Sequence, residues 1–504
     1  MTLKPMTAAV RLVGLSLALS AHGAWASGYH FGSQSASAQG SANAGSAEAA
    51  DPSTLFYNPA NIIHIKGTQA SGVLNVVLPN PGYSDEGSVT LFGLRTGGNN
   101  GGDFAEPTVV PHAYLTHQFS DTVTAGIGMF VPFGSRTKYD EGWTGRYNII
   151  ETELKTIAIN PAFAWRVNDK FTIGGGVSAQ YIHGKLAKAA DFGSGALNGV
   201  VDLLTLANAK PGVPTEVVRQ TVVNSLAGVI KEVSGNPTYS GGVDVEGSDI
   251  SYGFNLGLLW DIDPGFRLGL AYRSKVRHTL EGTAEWDVAN AANNLKTYLN
   301  GALGPGLGDL VANNLTAAYT NSDASLAVET PESYSLQAFK QITDSVALMG
   351  DITRTRHSRL KELRIDFANS LPDSVTPEHW KDTTRYSIGA TWRYSSALLL
   401  RGGYAYDESP VNAENRTPSI PDNDRSWFSI GANWAYSPAL SLDVADSDIY
   451  RPEGNVDMYE NGGVTNASGS SVCDRTRNTS SCATVRGRYN LSSSLLGMQL
   501  NYRF

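Results

Sequence analysis

Residues 496–504 read Leu-Gly-Met-Gln-Leu-Asn-Tyr-Arg-Phe, and this stretch decides the fold. Leu496, Met498, Leu500, Tyr502 and Phe504 alternate with Gly497, Gln499, Asn501 and Arg503. A period of two places one set on each face of a β-strand. One face suits lipid and the other water, the inverse of a soluble sheet wrapped around an apolar core. The same alternation recurs in Phe428, Ile430, Ala432, Trp434, Tyr436, in Tyr386, Ile388, Ala390, Trp392, Tyr394, and in Tyr252, Phe254, Leu256, Leu258, Trp260. Aromatic residues fall at the ends of these segments, where the two interfaces of a bilayer favour them.

The connections alternate in length. Tight turns stand at Ser120-Asp121, Asn168-Asp169, Asp263-Pro264-Gly265, Thr343-Asp344, Ser395-Ser396 and Ser437-Pro438. Long polar stretches lie near 80–106, 134–150, 188–248, 282–327, 363–380, 409–423 and 452–485. Short turns on one side and long loops on the other define a membrane barrel, and these connections imply about fourteen strands. Within the loops, Val200–Leu206, Val217–Val233, Leu295–Leu303 and Leu310–Ala317 space apolar residues by threes and fours, which predicts short amphipathic helices. Such helices either pack on one another as a cap or leave an apolar groove facing outward.

The first residues predict export. Lys4 and Arg11 precede an apolar run, Leu12 to Leu19, and Ala24-Trp25-Ala26 is a small-x-small cleavage site. The expected domains are a signal segment at 1–26, a plug at 27–66 and a barrel at 67–504. Without Lys4 and Arg11 the net charge falls from −9 to −11 (36 basic against 47 acidic residues), which argues against nucleic acid as a partner. No run after the signal approaches the ~18 apolar residues of a spanning helix, so strands must do the crossing. Cys473 and Cys482 lie close together in a polar stretch, and in an oxidising compartment a disulfide is the expected state.

Residues 27–66 suit neither helix nor strand. Ala, Ser and Gly dominate them, and so little apolar area cannot offset an ordering cost of roughly 1–2 kcal/mol per residue. The segment needs a container, and the bore of the barrel is one. Enzyme signatures are missing: there is no GxSxG, HExxH or GxxxxGK[ST]. Asp443, Asp446 and Asp448 lack the glycine and distal glutamate of a calcium loop, and the histidines show no metal spacing. No catalytic group, metal or cofactor is therefore expected.

Within the plug, Asp51-Pro-Ser-Thr-Leu-Phe-Tyr-Asn-Pro-Ala60 combines two prolines with the only bulky apolar knot, Leu55-Phe56-Tyr57. This decapeptide resembles the plug motif of the outer-membrane long-chain fatty acid transporters of the FadL type, with Asn58-Pro59-Ala60 intact. Tyr406 to Gly431 resembles that family's strand-loop-strand signature, so the resemblance spans the whole mature chain. It implies an all-β, fourteen-stranded antiparallel barrel of the Gram-negative outer membrane, with an N-terminal plug and short helices in long extracellular loops. It also implies that Asn58-Pro59-Ala60 meets a kinked third strand. The residues support a kink independently, for Gly126, Gly128, Pro132 and Gly134 cluster in AGIGMFVPFG. An inward bend there would open a hole through the wall.

In the family a basic pair holds a substrate carboxylate, and Lys188 and Lys361 stand at the matching positions. Lysine replaces an arginine at the first, losing bidentate geometry. Fatty acid against aromatic hydrocarbon therefore stays open, as does the direction of transport. The expected partners are hydrophobic small molecules and outer-membrane lipid with lipopolysaccharide, met by a monomer. The rival readings are a lipid exporter, a diffusive porin, which the plug residues oppose, and a surface receptor or adhesin.

Overall fold

The computed structural model describes residues 29–459, 464–465, 471–472 and 482–504. The expected signal segment and Cys473 lie outside the described residues. Fourteen antiparallel strands close into a barrel. Seven run without a break: β1 (Thr68–Asp85), β2 (Thr108–Ser120), β4 (Glu151–Arg166), β5 (Phe171–Ala190), β6 (Gly241–Asp263), β11 (Leu398–Asp407) and β12 (Arg425–Ala435). An eighth, β14 (Thr484–Arg503), pairs with β1 to close the ring, Leu74 opposite Met498.

The other six are interrupted. β3 comprises Val123–Phe130 and Gly134–Lys138; β7 comprises Phe266–Arg273 and Val276–Asp287; β8 comprises Ser322–Thr330 and Ser333–Gln341. β9 comprises Val346–Thr355 and Glu362–Phe367, β10 Ser374–Pro377 and Thr383–Arg393, and β13 Leu440–Tyr450 and Gly454–Tyr459. All six expected tight turns join neighbouring strands. The strands run further than the sequence suggests, because charged residues continue the ladder above the lipid.

Exposed apolar side chains form the lipid-facing belt, among them Ile127, Phe163, Leu256, Leu336, Ile388, Ile430 and Met498. Tyr252, Tyr334, Tyr386 and Tyr450 mark its outer edge; Trp165, Trp260, Tyr394, Tyr436 and Phe504 mark its inner edge. From Tyr386 to Tyr394, a rise of ~3.3 Å per residue at a tilt of ~40° separates the rings by ~20 Å, near the thickness of an outer-membrane apolar band.

The segment from Tyr29 to Ile65 fills the bore, as its composition requires. A one-turn helix, Ala36–Gln39, touches β12, β13, β14 and β1; the turn Gly45–Glu48 touches β7, β8 and β9; the turn Pro59–His64 touches β3 to β6. Polar groups inside the wall satisfy it. Gln39 Nε2 donates to Leu495 O at 2.6 Å, Asn75 Nδ2 to Gln39 Oε1 at 2.8 Å, and Arg273 Nη2 to Phe56 O at 2.7 Å. Ser41 lies so close to β11 that a Cβ on Gly403 would come within 2.4 Å of its carbonyl carbon. The inward Asp443 pairs with Arg401 at 2.8 Å, a plug-level ion pair rather than a metal ligand.

The expected loop helices are present as α1 (Phe192–Ala207), α2 (Thr215–Ser225), α3 (Ala227–Val233), α4 (Ala289–Leu303) and α5 (Leu307–Ala318). They share one core through Leu197, Val201, Ile230, Leu295, Leu299 and Val311, so they form a cap. Leu203, Leu206, Val217 and Leu310 remain exposed on it.

Candidate functional site

The third strand breaks at Val131–Phe133. Phe130 faces Ala158 and Gly134 faces Lys155, so three residues of β3 span where β4 has two. Proline without an amide hydrogen sits in the middle of the excess. On the other side the ladder with β2 runs up to Ala113 opposite Met129 and goes no further, which leaves the second half of β3 bonded to β4 and not to β2. Exposed Ile127, Ile159 and Val109 flank this unpaired stretch, so it opens onto the apolar belt. Gly126 and Gly128 lie in regular ladder below it; the kink itself belongs to Val131, Pro132 and Phe133, with Gly134 beginning the next run.

Backbone from the plug occupies the inner side of the break. Phe31 N donates to Pro132 O at 2.9 Å and Gly134 N to Tyr29 O at 2.7 Å. Gln34 Nε2 adds a bond to Val131 O at 2.8 Å, and the Phe31 ring stacks on His112 at 6.0 Å. The Tyr29 ring stands against Phe133 at 5.5 Å and Trp380 at 5.3 Å. Trp380 Nε1 donates to Glu378 Oε2 at 2.9 Å. Burial holds the Glu378 carboxyl at about 8 and the neighbouring His357 down at about 3, the latter helped by the charge of Arg425. Both side chains are neutral at pH 7.

Asn58-Pro59-Ala60 opens the turn that touches β3, and Ala60 shares an apolar cluster with Phe130, the last residue before the break. The tripeptide is seated on β5, β6 and β7, where a Cβ on Gly174 would lie 2.4 Å from Ala60 N and one on Gly257 2.0 Å from Asn58 Oδ1. Asn58 Nδ2 donates to Leu258 O and Leu270 O, both at 3.3 Å, and to Gln337 Oε1 at 3.2 Å. Glycines in the wall allow this approach; side chains there would exclude the backbone. The apolar knot reaches β3 as well. Leu55 lies over Gly126, and the Phe56 ring stands edge-on to Phe130 at 4.9 Å.

Above Tyr29 the bore becomes apolar. Leu154, Leu186, Val245, Leu280, Leu326 and Ile365 line one pocket with Tyr29, Ser135, Leu360 and Ile420. These residues follow from a change of phase within the strands. Below the tyrosine ring the apolar residue points outward, whereas above it Leu186 points in and Lys185 out, Leu280 in and Glu281 out, Ile365 in and Arg364 out. Lys185, Glu151, Arg136 and Glu153 tie the outer surface together there, Arg136 Nη2 to Glu151 Oε1 at 2.8 Å. The phase change is written in the sequence but shows only once the edge of the membrane along each strand is known. Tyr29, His30 and Phe31 gave no periodic signal at all.

The two candidate lysines do not line a common cavity. Lys188 is buried and faces a small cavity with Leu186, Leu363 and Ile365, which also border the apolar pocket. Lys361 is exposed, and its carbonyl accepts bonds from Glu378 N and His379 N.

Residues 17–504 match the family described as outer membrane protein transport protein (OMPP1/FadL/TodX). The Neisseria meningitidis serogroup B protein named "putative outer membrane protein NMB0088" is 35% identical over 499 residues, covering 97% of each chain. The long-chain fatty acid transport protein of Escherichia coli O6:H1 is 26% identical over 437 residues, 86% of this chain and 89% of its own. Among solved structures, a Pseudomonas aeruginosa FadL homologue superposes with a TM-score of 0.75 at 23% identity, covering 94% of this chain and 99% of that one. The Pseudomonas putida toluene transporter TodX gives 0.58 at 19% identity, covering 90% and 94%. The broken barrel, the filled bore and the matched length together place the chain in the OMPP1/FadL/TodX family, as an outer-membrane transporter of hydrophobic compounds.

Proposed function

We propose that the protein carries long-chain fatty acids from the outside into the outer membrane by lateral exit between β2 and β3. The observation that carries this reading is the coincidence of an apolar pocket lined by Tyr29 with an unpaired stretch of wall at Val131–Phe133, to whose edges the backbone of Tyr29 and Phe31 is clipped. A solute is first gathered on the exposed leucines and valine of the helical cap. It then enters the pocket, where Lys188 holds its carboxylate from the adjoining cavity; Lys361, outside both, meets substrate on approach. Release of Tyr29–Phe31 opens the break. Sideways is downhill, because each CH₂ kept from water is worth ~0.8 kcal/mol and the periplasm offers no comparable solvent. The fatty-acid class is favoured by the name of the Escherichia coli relative, at 26% identity over most of both chains.

Deletion of Pro132 tests the exit. Removing one residue brings the second half of β3 into register with the first and lets it pair with β2. Uptake of labelled hexadecanoate is expected to fall by at least tenfold while heat-modifiable migration of the barrel stays normal. Full uptake by a folded deletion variant would rule out exit at this seam. The protein acts as a monomer embedded in lipid and lipopolysaccharide in this proposal. Cys482 is disulfide-bonded, and its pairing with Cys473 is part of it: alkylation without reductant labels no thiol.

A further inference from the structure

Below the Tyr29 clip lies a second, polar cavity, lined by His30, Gly32, Tyr57, Arg273, Asp351 and Arg385. It contains two guanidinium groups and one carboxylate. Asp351 is already engaged, accepting from Thr353 Oγ1 at 2.6 Å and from Ser46 Oγ at 3.2 Å. Among the described residues neither arginine has a carboxylate within ion-pair distance. Arg273 gives one bond to Phe56 O and otherwise lies over the Phe56 and Phe130 rings, 4.5 and 5.2 Å from their centres. The buried Nε of Arg385 has no hydrogen-bond partner. Asp407 stands opposite Arg385 across the β10–β11 pair, yet the ion pair it makes is with Arg425, at 3.9 Å. Asp351 and Asp407 act on Arg385 only from beyond ion-pair distance, and two cations around one already engaged carboxylate leave the cavity with a net positive charge that suits an anion.

We infer that Arg385 and Arg273 form a head-group site for the carboxylate of an amphipathic substrate, deeper in the bore than Lys188; the inference rests on the transport reading above. Geometry links the two cavities. Tyr29 lines the apolar pocket and the next residue, His30, lines the polar one, so a molecule with its tail in the first and its head in the second must displace the segment clipped to Pro132 and Gly134. Arrival of the head group at Arg385 is therefore the event that frees the break. Gly32 makes room for it, since a Cβ at that position would lie 2.6 Å from Arg385 Nη1.

Binding of hexadecanoate and of hexadecan-1-ol to the purified full-length mature barrel, each displacing a fluorescent apolar probe, tests the site. Arg385→Gln is expected to weaken hexadecanoate about tenfold and the alcohol less than about twofold, the loss of a charge-assisted hydrogen bond. Arg385→Lys keeps the charge without the fork and should stay within about threefold of wild type. Gly32→Ala, which displaces the guanidinium without removing it, should weaken hexadecanoate selectively. Unchanged hexadecanoate binding in Arg385→Gln, or an equal fall for both compounds, overturns the head-group site and leaves transport standing. A wild type that binds neither compound overturns the transport reading and this site together. Where Arg385→Gln fails to show heat-modifiable migration, the Lys and Ala variants decide the question on the same criterion.

Discussion

The plug is held at two places that differ in kind. Asn58-Pro59-Ala60 sits on glycines of β5 and β6, its side-chain amide shared among two strand carbonyls and Gln337. Of the three only Pro59 borders the polar cavity and none borders the apolar pocket, so an arriving acyl chain gives them nothing in exchange for their contacts. Tyr29–Phe31 is held by two backbone hydrogen bonds to the break, worth ~1 kcal/mol each, by the Tyr29 ring, which lines the apolar pocket, and by the Phe31 ring, buried with Val77, Val110 and Val131. A bound acyl chain can replace that apolar environment. In the proposed lateral exit the first place serves as an anchor and the second as a clip, which would put the gate at the clip.

The harshest way to break the comparison is to remove both. Deletion of residues 27–66 should leave a folded barrel, since every strand keeps its ladder partners, with a conductance in planar bilayers several-fold above that of the full chain and no retention of solute. A truncated barrel no leakier than the parent would mean that the segment does not block the bore.

Separate damage to each place sharpens the comparison. Gly257→Val puts side-chain atoms where Asn58 Oδ1 would lie 2.0 Å from the new Cβ, and overpacking of this sort costs ~1–3 kcal/mol. The anchor should fail, and conductance should approach that of the deletion. Tyr29→Ala removes a buried ring and its bond to Glu329 O at 3.2 Å while the anchor stands. This variant should keep low conductance yet lose protection from protease near residue 29 and take up hexadecanoate without a clip to displace. If the two variants behave alike, the distinction between anchor and clip is false.

Much of this was legible beforehand. Alternation in Leu496–Phe504 and its counterparts gave two-faced strands, and the alternation of short turns with long loops made them a membrane barrel rather than a soluble sandwich. Periodic apolar residues gave the loop helices, and Pro132 marked the break in β3. The seat of Asn58 was not legible, since the two strand glycines it rests on look like any others until the backbone that approaches them is known. Nor was the pocket: Leu186 and Leu280 read as lipid-facing unless the strand is known to have left the membrane by that point. Tyr29–Phe31 carry no pattern, because an irregular strand edge can be capped by any residue with a free amide and carbonyl.

The smallest expected effect concerns the clip alone. Glu378 lies beyond the outer tyrosine ring, between the two halves of β10, with Trp380 donating to it and Tyr29 and His357 packed around Trp380. Burial raises its carboxyl from an ordinary 4.5 to about 8, so the folded protein holds a proton there that the unfolded chain has released. A folded value above the unfolded one means that the native state binds more protons between those limits, and stability falls as pH rises from 4.5 to about 8. His357 is neutral across this window, and nearby Glu329 is held ionised by Lys275 at 3.0 Å and Arg277 at 2.7 Å. Above pH 8 a buried carboxylate faces aromatic rings instead of water, and the packing around Tyr29 should loosen. Hydrogen exchange at Phe31 and Gly134 ought to quicken between pH 7 and 9 beyond the ordinary base-catalysed rise, by a factor of a few, with exchange at Ala60 following the ordinary rise alone. Glu378→Gln should abolish the excess. An equal excess at Ala60 would show that the two ends of the plug move as one body, and a persistent excess in Glu378→Gln would assign the loosening to some other group.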